Sequence, residues 1–259
     1  PLQILAGPGS GKTRVLTSRV AHLVRDSAAP IAPERCVVVT FTNRAANEMR
    51  ARLETMIGAD RTRRLVLGTF HAVCVRFLRR WGTRLGLDPR FTIADTDDAR
   101  RLLRDVDRDA PVDATLAAIS RAKAHGWTPD ELRASAQHAP GSPAHTEHLA
   151  LCRTYAAYQQ QLRTSHALDF DDLLLLGVRL FREHPELTTH IDHVLVDEFQ
   201  DTNAVQYELL RRLSRHVSVV GDPDQSIYSW RHADVRHIER MHLDFPGLHR
   251  VLLEENYRS

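Results

Sequence analysis

The stretch from Leu2 to Thr13 constrains the fold of this chain more than any other. It orders a short apolar strand, a glycine-rich turn and a helix that opens at Lys12. In such a turn, successive backbone N–H groups cradle phosphate oxygens, and the helix N-terminus adds a partial positive charge. Glycines allow backbone conformations and a close approach that side chains would block, and the turn contains Gly7, Gly9 and Gly11.

The stretch fits the P-loop pattern of nucleoside triphosphatases, apart from Ala6 at the position where the first glycine is usual. Lys12 can reach the β- and γ-phosphates of a bound nucleotide, and the Thr13 hydroxyl can ligate magnesium. The predicted nucleotide-binding residues are, in chain order, Ala6, Gly7, Pro8, Gly9, Ser10, Gly11, Lys12, Thr13 and Arg14. The pattern therefore predicts a nucleoside triphosphate and Mg²⁺ as cofactors.

The composition is typical of a soluble globular protein, with 42% hydrophobic and 26% charged residues. The formal net charge is +2, so any affinity for nucleic acid must come from local patches. Three widely spaced cysteines support neither a disulfide framework nor a cysteine zinc site. No apolar run is long enough to span a bilayer and no signal peptide is recognisable, so we predict a cytoplasmic protein without membrane partners. Because the chain ends at Ser259 without a closing element, we expect it to be a fragment.

Apolar runs of strand length alternate with amphipathic helices in two parts of the chain. Runs such as Cys36–Phe41 and His193–Phe199 are too apolar to face water, which indicates a parallel sheet covered on both sides. Between about Thr92 and Leu168 the strand signals disappear and helical segments follow one another. We therefore predict an α/β sheet domain formed by residues 1–92 and 168–259, with an all-α subdomain, residues 93–167, inserted in it.

Two carboxylates end the apolar run that starts at Val194, at the edge of the sheet where ligands bind in such folds. Asp197 is placed to hold magnesium, and Glu198 is placed to orient or deprotonate the attacking water. Taken alone, this segment would fit a solvated strand end. Beside a P-loop, the catalytic interpretation is favoured.

A third informative stretch begins after the apolar run Val217–Gly221. The polar turn that follows carries Gln225, which can sense a γ-phosphate by hydrogen bonding. Farther on, Tyr228, Trp230 and Arg231 interleave aromatic faces with a cation, a combination that suits base stacking and phosphate neutralisation on single strands. From composition alone, Trp230 fits a core anchor equally well.

Two groups of polar residues have simpler interpretations than a metal site. The acids Asp169, Asp171 and Asp172 lie where helix N-capping explains them. The pair His190/His193, like the pair at 145 and 148, has a spacing that a metal could use, but no third ligand accompanies it. We interpret these histidines as surface or structural residues.

Seven short motifs occur in one order along the chain. They are Ala6-Gly-Pro-Gly-Ser-Gly-Lys-Thr13, Phe41-Thr-Asn-Arg-Ala-Ala46, Gly68-Thr-Phe-His71, Leu168-Asp-Phe-Asp-Asp-Leu173, Val196-Asp-Glu-Phe-Gln-Asp-Thr-Asn203, Gln225-Ser-Ile-Tyr228 and Asn256-Tyr-Arg-Ser259. The series resembles the superfamily 1 DNA helicases of the UvrD/Rep/PcrA type, over essentially the whole chain.

This resemblance implies a RecA-like first motor domain, with the helical insertion as its accessory subdomain. The catalytic residues that it implies are Lys12, Glu198, Gln225 and Arg258, with Arg258 as an arginine finger. The metal ligands that it implies are Thr13 and Asp197. The residues that it places along a single-stranded DNA track are Phe41, Thr42, Asn43, Thr69, His71, Tyr228, Trp230 and Arg231.

The implied function is that of an ATP-dependent DNA helicase and translocase, with 3′ to 5′ polarity. It would act on single-stranded DNA and on junctions with duplex in repair or replication restart. The chain would be its N-terminal fragment, nearly inactive as an ATP hydrolase without a second RecA-like domain of the same polypeptide. Two alternatives stay open: the helicase part of a RecB- or AddA-like helicase–nuclease, and a P-loop nucleotide switch without a motor.

Two features depart from the family pattern. The family's glutamine motif, which reads adenine, lies upstream of the P-loop and is missing here, so base preference cannot be predicted. His232 stands where a glycine is usual.

Overall fold

The computed structural model of the protein describes residues 1–136, 141–214, 216–225 and 236–253. Its strands are β1 (Leu2–Ala6), β2 (Cys36–Thr40), β3 (Val66–Thr69), β4 (Thr92–Ile93), β5 (Ala167–Leu168), β6 (His193–Val196), β7 (Val217–Gly221) and β8 (His249–Leu253). Its α-helices are α1 (Lys12–Ala21), α2 (Asn43–Ile57), α3 (Ala59–Arg64), α4 (Phe70–Trp81), α5 (Thr96–Val106), α6 (Val112–Ala124), α7 (Pro129–Ala134), α8 (Pro143–Thr164), α9 (Phe170–Glu183), α10 (Ala204–Leu213) and α11 (Arg236–Asp244).

Among the described residues, six strands form one sheet in the order β3-β2-β6-β7-β1-β8. Every neighbouring pair in it is parallel. Parallel strands need crossover connections, and helices supply them between consecutive strands of the sheet. The predicted α/β class with a parallel sheet is therefore confirmed.

The strands are apolar on both faces because both faces are covered. All five residues of β2 are buried, and the same holds for the five of β7. The core on one face brings Leu16 and Val20 of α1 together with Met49 and Leu53 of α2 and with Val38 of β2. Continuous β-branched runs favour strands that are buried in this way.

The register of the sheet brings several predicted functional loops to one edge. Thr40 at the end of β2 is paired with Thr69 at the end of β3. On the other side of β2, Val39 is paired with Val196 of β6. The loops that leave the carboxyl ends of parallel strands meet at such an edge, where ligands bind in open α/β sheets.

The chain divides into two compact units, one formed by residues 1–76 with 178–259 and the other by residues 77–177. The second unit is longer at both ends than the insertion predicted from the sequence, residues 93–167. It also includes parts of the two flanking helices, α4 and α9. The sheet just described lies in the first unit. The predicted domain limits stay a prediction.

The second unit packs its helices around a separate core, in which Leu103, Ile119, Tyr155, Tyr158 and Leu162 are buried. Two features of this unit differ from the sequence analysis. First, the helical spacing of apolar residues predicts a helix that starts at His148, but α8 begins at Pro143, because the Ser142 side chain accepts a hydrogen bond from the helix backbone. Second, β4 and β5 form a two-stranded parallel sheet, which is too short to give a periodic sequence signal.

A buried lysine lies in the core of the second unit. The side chain of Lys123 is fully buried, with its Nζ atom 2.6 Å from Asp169 Oδ2 and 2.7 Å from Asp172 Oδ1. Burial disfavours the charge of Lys123, but the two carboxylates outweigh it, and the pKa of the lysine is raised. Tyr158 also donates to Asp169, at 3.1 Å.

The acids at the start of α9 cap that helix, as the sequence analysis proposed. The Asp172 N–H donates to Asp169 Oδ1 at 2.9 Å, and the Asp169 N–H donates to Asp172 Oδ2 at 3.3 Å. Two backbone donors at the helix start are thus satisfied reciprocally. The N-capping interpretation is confirmed for Asp169 and Asp172, which also contact Lys123, whereas no capping hydrogen bond of Asp171 supports it.

No helix in the part of the chain that the structure describes is both long and apolar enough to cross a membrane. The three cysteines, Cys36, Cys74 and Cys152, are buried as free thiols. Burial raises the pKa of Cys36 and of Cys74 to about 12.

Candidate active site

The glycine-rich turn lies between β1 and α1, as predicted, and it ends in the left-handed backbone conformation of Gly11, with φ of 84°. Gly9 also has a positive φ, 76°. A side chain at either position would be strained, so these two glycines are required by the path of the backbone. Within the turn, Ser10 Oγ donates to the Gly7 carbonyl at 2.6 Å, which holds the loop closed on itself.

Lys12 points back across the turn toward the neighbouring strand ends. Its Nζ atom donates to the Ala6 carbonyl at 3.3 Å and to Gln225 Oε1 at 3.0 Å. It also forms an ion pair with Asp222 Oδ2 at 3.4 Å, in which both side chains are largely buried. The structure therefore brings the predicted lysine and the predicted phosphate-sensing glutamine to the same point.

Thr13, the first residue after that lysine, contacts the first of the two acids at the end of β6. Its Oγ1 atom donates to Asp197 Oδ2 at 3.2 Å. Burial, and then the neighbouring Glu198 carboxylate, raises the pKa of Asp197 to about 6. A buried carboxylate beside a hydroxyl oxygen, at the end of a strand, provides two adjacent hard oxygen donors.

Glu198 has an unusual backbone conformation for a residue with a side chain, with φ of 49° and ψ of 45°. Such left-handed residues cost energy and persist where the surrounding structure determines them. The Glu198 carboxylate accepts a hydrogen bond of 2.9 Å from Gln200 Nε2. Its carbonyl accepts another of 3.0 Å from the Asp201 N–H, so both ends of the residue are held.

These residues surround a cavity of about 460 Å³. Its lining consists of Pro8, Gly9, Ser10, Gly11, Lys12, Thr13, Arg14, Arg52, Glu198 and Gln225. A volume of this size suits a small ligand such as a nucleotide. The cavity thus unites the predicted P-loop with the predicted catalytic acid and the predicted phosphate sensor.

Sequence reasoning missed two residues of this site. Arg52 lines the cavity from α2. Gln200, which contacts Glu198, belongs to one of the motifs but received no role. Neither has a local signal of its own, because each reaches the site through the packing of a separate element. The motif context alone could have singled out Gln200.

Residues predicted to lie along a DNA track are also brought together in part. Phe41 and Phe70, which follow β2 and β3, pack edge to face with ring centroids 5.8 Å apart. Thr42 caps α2 by accepting a hydrogen bond from the Ala45 N–H. Thr69 accepts one from the Ala72 N–H in the same way at the start of α4. Asn43 and His71 lie in the first turns of these two helices.

Four of the predicted site residues lie outside the described residues. They are Tyr228, Trp230, Arg231 and Arg258. His232 lies outside them as well. Their predicted roles stay predictions.

Comparison with known proteins shows which protein family the chain matches. The family model described as the UvrD/REP helicase N-terminal domain matches residues 1–246. The ATP-dependent DNA helicase PcrA of Leuconostoc citreum is 42% identical over an alignment that covers 100% of this chain and 35% of that protein. The ATP-dependent DNA helicase PcrA of Staphylococcus aureus is 39% identical, with 100% of this chain and 36% of that protein covered. The chain thus spans about a third of the length of the curated relatives that it matches.

Proposed function

Because the chain belongs to the UvrD/REP helicase N-terminal domain family, we propose that it is the nucleotide-binding part of an ATP-dependent DNA helicase. The observation that carries this proposal is the convergence of Lys12, Thr13, Glu198 and Gln225 on one cavity beside Asp197. That the substrate is DNA and that the protein is a motor is inferred from the names of the relatives. The geometry supports the nucleotide chemistry independently of those names.

In this proposal, the turn from Pro8 to Gly11 binds the phosphates of ATP through its backbone N–H groups. Lys12 neutralises the charge of the β- and γ-phosphates, after releasing its contacts with Asp222 and Gln225. Gln225 then contacts the γ-phosphate from the end of β7. Arg14 and Arg52 add two further cations to the wall of the same cavity.

The oxygens of Thr13 and Asp197 fit the magnesium ion that accompanies ATP. Mg²⁺ prefers a few protein oxygens together with water and substrate phosphates to a complete protein cage. In keeping with this, the described residues contain no group of three or more His, Cys, Asp or Glu side chains that could hold a metal. When bound, the ion neutralises charge on the phosphates.

Glu198 is the general base of the proposed reaction. Its carboxylate lines the cavity next to the P-loop, where a water molecule can attack the γ-phosphate. Products are ADP and phosphate, and the proton of the attacking water passes to the carboxylate.

We further propose that single-stranded DNA and its junctions with duplex bind along the edge of the sheet that carries the ends of β2 and β3. The exposed Thr42 and Asn43, with Phe41, Thr69 and His71, lie there. Tyr228, Trp230 and Arg231 would extend this track by base stacking and phosphate contacts. A polarity of 3′ to 5′, a role in repair or replication restart and a cytoplasmic location belong to the same proposal.

A second RecA-like domain of the same polypeptide completes the proposed motor. The coverage of the PcrA relatives supports it, since about two thirds of their length lies beyond the alignment. Arg258 would act as an arginine finger beside cations from that domain.

The test is steady-state ATP hydrolysis by the full-length polypeptide, with and without single-stranded DNA. We expect DNA to stimulate hydrolysis, and Glu198→Gln to lower kcat by about 10²–10⁴-fold while Mg-ATP still binds. Glu48→Gln, a change at an exposed acid of α2, is the matched control and should leave hydrolysis unchanged. A rate of hydrolysis that does not change when DNA is added would favour a nucleotide switch without a motor. A Glu198→Gln variant with wild-type activity would exclude Glu198 as the base.

A further inference from the structure

We propose that Gln200 is a positioning residue, which orients the Glu198 carboxylate by tying it to the backbone at the end of the neighbouring strand β7. The inference rests on the proposed function, because it concerns the geometry of the proposed base. Gln200 itself does not line the cavity and is only 2% exposed.

Both ends of the Gln200 amide are engaged, each with a different loop. Nε2 donates to Glu198 Oε2 at 2.9 Å, and Oε1 accepts from the Asp222 N–H at 3.0 Å. The orientation of the amide is fixed by chemistry, because a backbone N–H can only donate and an ionised carboxylate can only accept. A rotated amide would place donor against donor and acceptor against acceptor.

Gly221 provides the space for this bridge. A Cβ atom at this position would lie 2.9 Å from Gln200 Oε1 and 3.3 Å from the Gln200 backbone nitrogen. The backbone of Gly221 does not have a positive φ, so its conformation alone does not call for glycine. The close approach of Gln200 is what requires a glycine at this position.

The bridge continues to the phosphate-binding lysine. Asp222, whose N–H binds Gln200, forms the ion pair with Lys12 through its side chain. One path of polar contacts therefore runs from Lys12 through Asp222 and Gln200 to Glu198. It joins the loops that follow β1, β7 and β6, and its two ends are the groups that would hold the phosphate and activate the water.

An amide suits this position better than an acid or a hydrocarbon. Glu198 already has a strained backbone, so its side chain needs a partner that selects one orientation. A carboxylate at position 200 would keep the bond to the Asp222 N–H and repel Glu198 instead.

Variants that place an acid or a hydrocarbon at position 200 therefore test the proposal. Gln200→Glu and Gln200→Met are compared with wild type in the full-length polypeptide, by the kcat of DNA-stimulated ATPase and by Mg-ATP binding. Gln206→Glu is the matched control, since Gln206 is a buried glutamine that caps α10 and lies outside the cavity. Thermal unfolding followed by circular dichroism verifies that each variant is folded.

We expect both Gln200 variants to lower kcat by about 10- to 100-fold, with nucleotide affinity within about twofold of wild type. Gln200→Glu should lower kcat more than Gln200→Met, because the new carboxylate repels the Glu198 carboxylate instead of holding it. If Gln200→Glu does not fold, Gly221→Ala tests the same bridge by displacing the Gln200 side chain, and it should lower kcat.

The outcomes separate the two hypotheses. An active wild type with folded Gln200 variants of unchanged kcat would overturn the role of Gln200 and leave the proposed function intact. A wild type without DNA-stimulated hydrolysis would contradict the proposed function, and the role of Gln200 would fall with it.

Discussion

Lys12 contacts four groups of the protein, so its replacement affects the fold as well as nucleotide binding. Its partner Asp222 is 2% exposed. Without Lys12, Asp222 would be a buried carboxylate that has lost its ion-pair partner. Removing one member of a buried ion pair is costly because the other charge stays behind. We expect a Lys12→Ala variant to lose ATP hydrolysis for two reasons, the lost phosphate contact and the lower stability of the fold, and these need to be separated.

A double-mutant cycle with Lys12→Ala and Asp222→Asn separates them. We expect an interaction energy of about 0.5–3 kcal/mol from urea unfolding, with the double variant less destabilised than the sum of the single ones. The exposed pair Arg44 and Glu48 on α2 is the control, and its cycle should give less than about 1 kcal/mol. An interaction energy of zero between Lys12 and Asp222 would show that the pair does not stabilise the protein.

His193 makes the sheet sensitive to pH. Burial, together with the nearby charge of Arg19 and the ring of His216, lowers the pKa of His193 from 6.5 to about 4. Its Nε2 atom lies 2.9 Å from Ser218 Oγ on the adjacent strand. Because the folded protein holds this histidine neutral, its contribution to stability is present above pH 6.5 and is lost as the pH falls from 6.5 to about 4.

We expect this loss to reach on the order of 3 kcal/mol in the free energy of unfolding. His193→Gln should flatten that part of the stability curve, measured by urea unfolding at closely spaced pH values. His249→Gln, at an exposed position of β8, is the control. An unchanged slope in the His193 variant would assign the acid sensitivity to other groups.

Helices and strands were predictable where one local pattern determines them. The apolar run of β2 predicted a buried strand. Helical spacing in the sequence likewise puts Tyr155, Tyr158 and Leu162 on one face, and all three are buried on α8. The P-loop and the acids after β6 were predictable in the same way, since each motif lies within a few residues. What local pattern does not contain is contact between distant residues, which is why the roles of Gln200 and Lys123 were not predicted.

Lys123 joins two helices of the second unit, α6 and α9, through Asp169 and Asp172. We expect Lys123→Ala to lower the free energy of unfolding by about 3–5 kcal/mol, because it leaves buried carboxylates without a cation. Lys123→Met keeps most of the volume and tests the charge alone. Arg121→Ala, at an exposed position of the same helix, should change stability by less than about 0.5 kcal/mol.

Urea unfolding followed by circular dichroism measures these differences. A Lys123→Met variant as stable as wild type would mean that packing, and not the ion pair, accounts for any loss in Lys123→Ala.

For the molecule as a whole, the proposed function sets a limit on what this chain does alone. The cavity is lined by the P-loop and by residues of neighbouring loops and of α2, and the proposed second domain would supply further cations to the γ-phosphate. An arginine finger contributes about 10³–10⁵ in rate. We therefore expect the 259-residue chain to fold and to bind Mg-ATP, yet to hydrolyse it slower than the full-length polypeptide by a factor in that range.

Steady-state ATPase and duplex unwinding by the purified chain, with circular dichroism to verify folding, test this expectation. Robust DNA-stimulated hydrolysis by the monomeric chain would contradict the need for a second domain.

The position of β1 also affects how the chain folds as it is synthesised. Both neighbours of β1 in the sheet, β7 and β8, lie near the other end of the chain, with Leu2 paired with Ser218 and with His249. At 5–20 residues per second, β1 leaves the ribosome roughly 10–40 s before its first partner strand. Until then β1 has neither of the strands that pair with it, whereas the core residues of the second unit all precede β7 in the chain. We expect β1 to stay exposed on the nascent chain during that interval, and exposed apolar segments of this kind are prone to aggregation.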